Sequence, residues 1–210
     1  MFSFSGISPV PDEIINKSQL QKAMMFDLSM VRAESELRSG MPASWEECLA
    51  VASKRQRRHF DARIPEKLEP NDILIADQAA CNLVAMLSSI QTQYPSDILE
   101  HAPFIPGLGW VASGNGDFAI GSTLIEVKHI ERNFGAADFR QVLMYWLLRY
   151  AQTIENDTVI WSNVLFLNPR RNAALLVNYN DLLRSASGLM TRIELVELLR
   201  SVVGQDLDRR

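Results

Sequence analysis

The chain is short of cysteine, of excess positive charge and of long apolar runs, and each shortage removes a class of function. Only two cysteines occur, Cys48 and Cys81, far apart and in no C-x-x-C pair. Neither a zinc ribbon nor a disulfide framework is indicated, and a reducing compartment is expected. A formal net charge of -4 with a pI near 5.4 gives no global attraction to a polyanion. Contact with nucleic acid would therefore need a local basic patch. No uninterrupted apolar run reaches the roughly 18 residues of a membrane span, and the start Met1-Phe2-Ser3-Phe4 lacks the basic flank of a signal peptide. The expectation is a cytoplasmic protein with no membrane partner. No internal repeat or low-complexity segment appears.

What is present reads as globular. At 210 residues, 47% apolar and 22% charged, the chain is long enough to bury a sizeable core in one domain with a helical extension. Leu20, Met24, Met25, Leu28 and Val31 recur at helical spacing over residues 18 to 38, and the pattern stops near Gly40 and Pro42. Ser44-Trp45-Glu46-Glu47 is a capping box that opens a second helix toward Arg57. Pro65 and Pro70 bracket a polar linker, after which Asn71 or Asp72 caps an apolar helix to about Gln91. The organisation expected is an N-terminal helical extension over 1–65 and a main domain over 66–210. Within the extension, Lys54, Arg55, Arg57, Arg58 and Arg63 set five cations against the single carboxylate of Asp61, with His59 among them. This run reads either as a solvated helix end or protein contact, or as a phosphate-binding patch.

From residue 101 the pattern turns to strands. The segment around Trp110 reads as a first strand, a hairpin over 114–128 follows, and a loop holding Gly135 leads to a helix from Asp138 to Gln152. Val159 to Leu167 and Ala173 to Val177 are two more β-rich runs, joined by Asn168-Pro169-Arg170-Arg171-Asn172, which reads as a surface turn able to meet phosphate. One closing helix follows Asn180; another opens at the capping box Thr191-Arg192-Ile193-Glu194. Strands, a crossover helix and further strands imply an α/β fold, a mixed central sheet flanked by helices. The apolar stretch from Leu195 to Val203 reads as core or as a partner surface.

The hairpin carries the chemistry. Gly121-Ser122 is the Gly-X pair of a two-residue turn, which makes Ile120 face Thr123 and fixes every later pair. Asp117 is then opposite Glu126. Opposed residues share a face with Cβ atoms roughly 4.5 to 5.5 Å apart, where like charges repel. Lys128 returns to the same face two residues on, while Phe118, Ile120, Ile125 and Val127 point the other way. Two carboxylates and an ammonium so placed suit a hard cation such as Mg²⁺, which polarises a phosphoryl group and lowers the pKa of bound water. Lys128 would position that water and stabilise charge. On the helix that follows, Gln141 and Tyr145 stand four apart on one face of an otherwise apolar segment, which is expected to be buried. A buried amide needs partners: a metal-bound water, a catalytic residue or substrate. Arg140 beside it could meet phosphate.

Gly114-x-x-Asp117, Glu126-Val127-Lys128 and Gln141-x-x-x-Tyr145, in that order on strand, strand and helix, resemble the PD-(D/E)XK nuclease superfamily, its RecB-like branch in particular. The resemblance covers roughly residues 70 to 180. It implies a restriction-endonuclease-like core, with Asp117 and Glu126 as metal ligands, Lys128 catalytic, and Gln141 and Tyr145 beside the substrate. Mg²⁺, with Mn²⁺ substituting, is the implied cofactor, and DNA ahead of RNA the implied substrate. Two features depart from the family: the hairpin is short, and Gly116 replaces the proline of the superfamily's name. Relatives also supply an upstream His or acidic residue, for which Asp77, Glu100 and His101 all remain open. His129 points away from Lys128 and reads as structural. The expected function is a divalent-metal-dependent deoxyribonuclease of a bacterial defence, restriction or repair system, working alone, as a homodimer or with a helicase, ATPase or sensor protein. The alternative is a nuclease-fold subunit that binds nucleic acid or protein without cutting.

Overall fold

A computed structural model describes residues 1–153, 160–188 and 190–205. Its contacts divide the chain into two compact units, one of Met1–Gln93, Lys128–Glu131 and Leu167–Ala174, the other of Tyr94–Val127, Arg132–Phe166 and Leu175–Arg210. The expected boundary at residue 65 falls inside the first.

The first unit is helical because its apolar residues recur every three to four positions. A short α1 (Asp12–Ile15) precedes α2 (Lys22–Ser39), α3 (Trp45–Gln56) and α4 (Pro70–Gln93). Met24, Leu28 and Val31 of α2 pack with Cys48 and Ala52 of α3 and with Ile75, Ala76 and Ala79 of α4, all buried. The helix α2 ends where expected, at Gly40 in the left-handed conformation. The capping box of α3 forms as its sequence predicts, Ser44 and Glu47 bonding each other's backbone amides. The start of α4 differs from expectation. Asp72 lies inside the first turn, buried, where its carboxylate accepts from the Glu69 amide at 3.1 Å and the Ser18 hydroxyl at 2.6 Å. By length and composition α4 could cross a membrane, but half of its most apolar window is buried among its neighbours, as in the core helix of a packed bundle.

The loop 168–172 is not the surface turn its sequence suggests. Arg170 and Asn172 are only 8% and 7% exposed. Asn172 sits at φ 47°, the left-handed region asparagine tolerates. Its side chain accepts from the Phe4 amide at 3.0 Å and donates to the carbonyls of Phe4 at 2.8 Å and Ile7 at 2.7 Å. Asn82 on α4 likewise donates to the carbonyls of Ser8 and Pro169, both at 2.8 Å. The N-terminal strap is thus tied down by two amides. Asn172→Ala loses three hydrogen bonds and strains the backbone, and is expected to cost about 2 to 4 kcal/mol in urea unfolding. An unchanged midpoint would refute this anchoring role.

In the second unit, β1 (Leu99–His101) pairs antiparallel with β4 (Phe118–Ile120), and β4 with β5 (Thr123–Val127). A separate two-residue ladder joins β2 (Phe104–Ile105) and β3 (Gly114–Asn115). Trp110 is not in a strand. It sits, 57% exposed, in a turn closed by the Leu108–Val111 bridge, because Pro106, Gly107 and Gly109 break any extended run there. The crossover helix α5 (Ala136–Thr153) leads to β6 (Asn163–Asn168) and β7 (Ala173–Asn178), completing a sheet of order β1-β4-β5-β6-β7. The expected strand start at Val159 lies outside the described residues. Ser122 O accepts from the amides of Ser162 and Asn163, and Leu167 O from that of Lys128. These bonds run β6 in the same direction as β5 and make the sheet mixed, as a helical crossover requires.

The core of this unit gathers Ala119, Leu124, Val142, Trp146, Trp161, Phe166 and Tyr179. Helix α5 is not buried all round, as its composition suggests. Val142, Trp146, Leu148 and Ala151 are buried, while Met144 is 38% exposed. The next helix, α6 (Tyr179–Ser187), is capped by Asn178, two residues before the expected Asn180. Thr191 and Glu194 form the reciprocal box that opens α7 (Arg192–Gln205). Val196 and Val203 of α7 are buried, but Leu198 and Val202 are half exposed.

Candidate active site

The hairpin turn sets the site. Gly121 adopts φ 51°, and a Cβ there would stand 2.6 Å from Asp97 Oδ2. With positive φ at the first turn position only, the strands leave in the register the sequence predicts: Ile120 opposite Thr123, Ala119 opposite Leu124, Phe118 opposite Ile125. One step further the ladder changes character. The Asp117 carbonyl accepts from the Ala102 amide at 3.0 Å, on the β1 side. On the other side the Asp117 carboxylate, not a carbonyl, accepts from the Val127 amide at 2.7 Å. The carboxylate therefore leans along the end of the strand pair instead of standing straight off its face.

Glu126 is 4% exposed. It shares the face of Leu124, toward α5, and there its Oε1 accepts from the Gln141 amide at 2.9 Å. The same nitrogen donates to the Tyr145 hydroxyl at 2.7 Å. A carboxylate only accepts, so its contact fixes which end of the Gln141 amide faces it. Burial raises the Tyr145 pKa above its usual value; the Gln141 bond opposes this, and the charges of Glu126 and Asp117 add to it. Both carboxylates thus act on one phenol, which stays protonated and able to donate. Burial and the Glu126 charge likewise push the Tyr179 phenol well up. Tyr179, whose hydroxyl donates to the Val142 carbonyl at 3.3 Å, belongs to the floor of the site. Nothing in its sequence context signals this, because it is the first residue of α6, 37 positions from Val142.

The start of α5 is fixed by a second buried carboxylate. Asp138 accepts from the Gly135 amide at 2.8 Å and from Arg132 at 2.6 and 3.2 Å, a forked ion pair. That anchor holds the turn from which Gln141 and Tyr145 project. Arg140, beside Gln141, is exposed.

Asp117, Glu126, Gln141 and Tyr145 are therefore brought together within the second unit. Lys128 lies one residue past β5 and groups by its contacts with the first unit. Of the three upstream candidates, Asp77 is held by Arg32 at 2.6 Å, a structural ion pair under the Trp45 ring. His101 is paired with Phe118 and packs edge-on against it, on the face opposite Glu126. Glu100 pairs with Ala119, which places it on the Glu126 face, where its charge acts on Arg149. In the basic run, Arg55 turns inward to Glu34 at 2.7 Å and Asp27 at 3.8 Å, whereas Lys54, Arg57 and Arg58 are exposed.

Asp117 and Glu126 both act on Tyr145, and carboxylate oxygens are the donor type taken by Mg²⁺ and Mn²⁺, ions content with one or two carboxylates and several waters. Among the described residues no group of three or more His, Cys, Asp and Glu side chains gathers to hold a metal. Three-ligand zinc chemistry is not what this donor set suits. In comparisons with known proteins, no family model, no curated protein and no solved structure matches the chain.

Proposed function

We propose that the protein is a divalent-metal-dependent nuclease that hydrolyses phosphodiester bonds of DNA in the cytoplasm, with Asp117 and Glu126 as ligands for Mg²⁺ or Mn²⁺. The observation that supports this reading best is the bond from Gln141 to both Glu126 and Tyr145, which ties a buried carboxylate to two polar side chains of α5. A bound cation would polarise the phosphoryl oxygen and make water a better nucleophile. Gln141 holds Glu126 in one orientation. Tyr145 keeps its proton and donates to a phosphate oxygen, and exposed Arg140 meets the neighbouring phosphate. Lys128, taken from the resemblance to PD-(D/E)XK nucleases, stabilises developing negative charge. A role in defence, restriction or repair, with a helicase, ATPase or sensor protein or as a homodimer, belongs to the same proposal.

The test is cleavage of linear, circular and single-stranded DNA with Mg²⁺ or Mn²⁺. Glu126→Ala is expected to lower the rate at least about 100-fold, the usual scale for losing an electrostatic stabiliser. Cutting of circles identifies an endonuclease. Equal rates for wild type and Glu126→Ala would end this reading. The engagement of the Asp117 carboxylate with the Val127 amide favours one second reading, a subunit that binds without cutting. Calorimetry with Mn²⁺ separates the two, since a non-catalytic subunit shows no binding that depends on Glu126.

A further inference from the structure

Phe60 is fully exposed, 104% of its reference surface, in a net-basic loop whose one carboxylate is Asp61. Apolar rings of this size leave water when they can, so its position calls for a cause. Fraying is not that cause. The His59 amide donates to the Gln56 carbonyl at 2.9 Å and that of Ala62 to His59 at 3.3 Å. Gln21, at the start of α2, clamps the far side: its amide donates to the Asp61 carbonyl at 3.1 Å, and its oxygen accepts from the Arg63 amide at 2.7 Å. The near side is anchored by Arg55 on Glu34. The ring is thus presented on a braced turn.

Beside it in the chain are Lys54 at the end of α3 and Arg57, Arg58 and Arg63, all exposed and none in an ion pair among the described residues. Although the chain carries a net charge of -4, the turn is net positive, with Asp61 its one carboxylate. An aromatic face set among free guanidinium groups matches the two halves of an unpaired nucleotide, a base that stacks and a phosphate that takes the charge. Bases in a duplex are already stacked and have no free face to offer. We propose that the turn Arg57–Arg63 is a binding platform for single-stranded DNA, with one base stacked on Phe60 and adjacent phosphates held by Arg57 and Arg58. This extends the nuclease reading to a substrate class, and rests on it only for the purpose the binding serves.

The test is fluorescence anisotropy of the full chain with a labelled 20-nucleotide oligo-dT and with a hairpin duplex, in EDTA so that nothing is cut. Phe60→Ala is expected to weaken oligo-dT binding by roughly 5- to 150-fold and duplex binding less than about 2-fold, and Phe60→Trp to retain both. Arg57→Ala/Arg58→Ala should reduce the slope of log affinity against log salt by about 1.4. The platform is disproved if the wild-type chain does not bind oligo-dT, or if Phe60→Ala binds it as well as wild type or weakens both DNAs equally. Cleavage by wild type against Glu126→Ala reads the carboxylate pair independently. A chain that binds through Phe60 but never cuts keeps the platform and loses the nuclease. One that cuts but is indifferent to Phe60 does the reverse.

Discussion

Trp146→Ala is expected to lower the unfolding free energy by about 3 to 5 kcal/mol, the range for removing a buried tryptophan. Trp146 is 2% exposed and stacks on Tyr150 with centroids 4.9 Å apart. Its indole nitrogen donates to the Trp161 carbonyl at 2.9 Å, and the Arg192 guanidinium lies 5.5 Å from the ring centroid. Truncation leaves a cavity, an unpaired carbonyl and a displaced α7 in the same region. Because Trp146 is on α5 one residue beyond Tyr145, the loss should spread to the site. Urea titration followed by circular dichroism reads the stability, and a change below about 1 kcal/mol would mean the ring is not part of the core. Trp146→Phe, which keeps an aromatic ring in the core but loses the N–H and part of the indole volume, should recover more than half of it.

The second large effect is one of pH. His129 is half-buried and meets Phe26 ring edge to face at 5.3 Å, and its buried Nε2 has no hydrogen-bond partner among the described residues. It borders a cavity of about 250 Å³ whose charged groups are Lys22, Glu131 and Arg170. Burial, and then the Arg170 charge, lower its pKa to about 3 from the ordinary 6.5. Between those values the unfolded chain takes up a proton that the folded chain refuses, so stability is complete above pH 6.5 and declines as pH falls toward 3. Each pH unit in that window costs about 1.4 kcal/mol. From pH 7 to 4.5 the loss from this one residue should be roughly 2 to 3 kcal/mol. His129→Phe should abolish that part of the slope. Asp27, whose pKa is raised chiefly by burial, acts in the opposite sense but is common to both proteins, so the difference between them isolates His129. Parallel profiles would show that the imidazole finds a way to protonate in place.

Short-range rules carried the site further than the fold. The register followed from Gly121-Ser122 alone, because a two-residue turn leaves the strands one choice, and every pair down to Phe118 and Ile125 agrees. The helix spacing of Gln141 and Tyr145 placed them on one face, where they do meet. The direction of the Asp117 carboxylate was not legible, since strand alternation gives a side chain's face but not its lean toward a neighbouring amide. Trp110 was misread because its apolar neighbours resemble a strand, while the prolyl and glycyl residues around it govern the backbone. Arg170 and Asn172 looked solvated for a related reason: their partners are backbone atoms of Phe4, Ile7 and Val10 and the carboxylates of Asp12 and Glu131. Pairings across 160 residues leave no local trace. The exposure of Phe60 was hidden as well, because a lone aromatic near a helix end looks like any other core residue until its surface is measured.

One consequence of the hairpin concerns how its acids are to be dissected. The Asp117 carboxylate closes the last rung of a β-ladder, so shortening it to alanine would disturb the wall along with any chemistry proposed for it. Asparagine at 117 still offers an oxygen to the Val127 amide and spares the wall. At Glu126, held by the Gln141 side chain, Glu126→Gln removes the charge and keeps an oxygen for that bond, so the packing around it is spared as well.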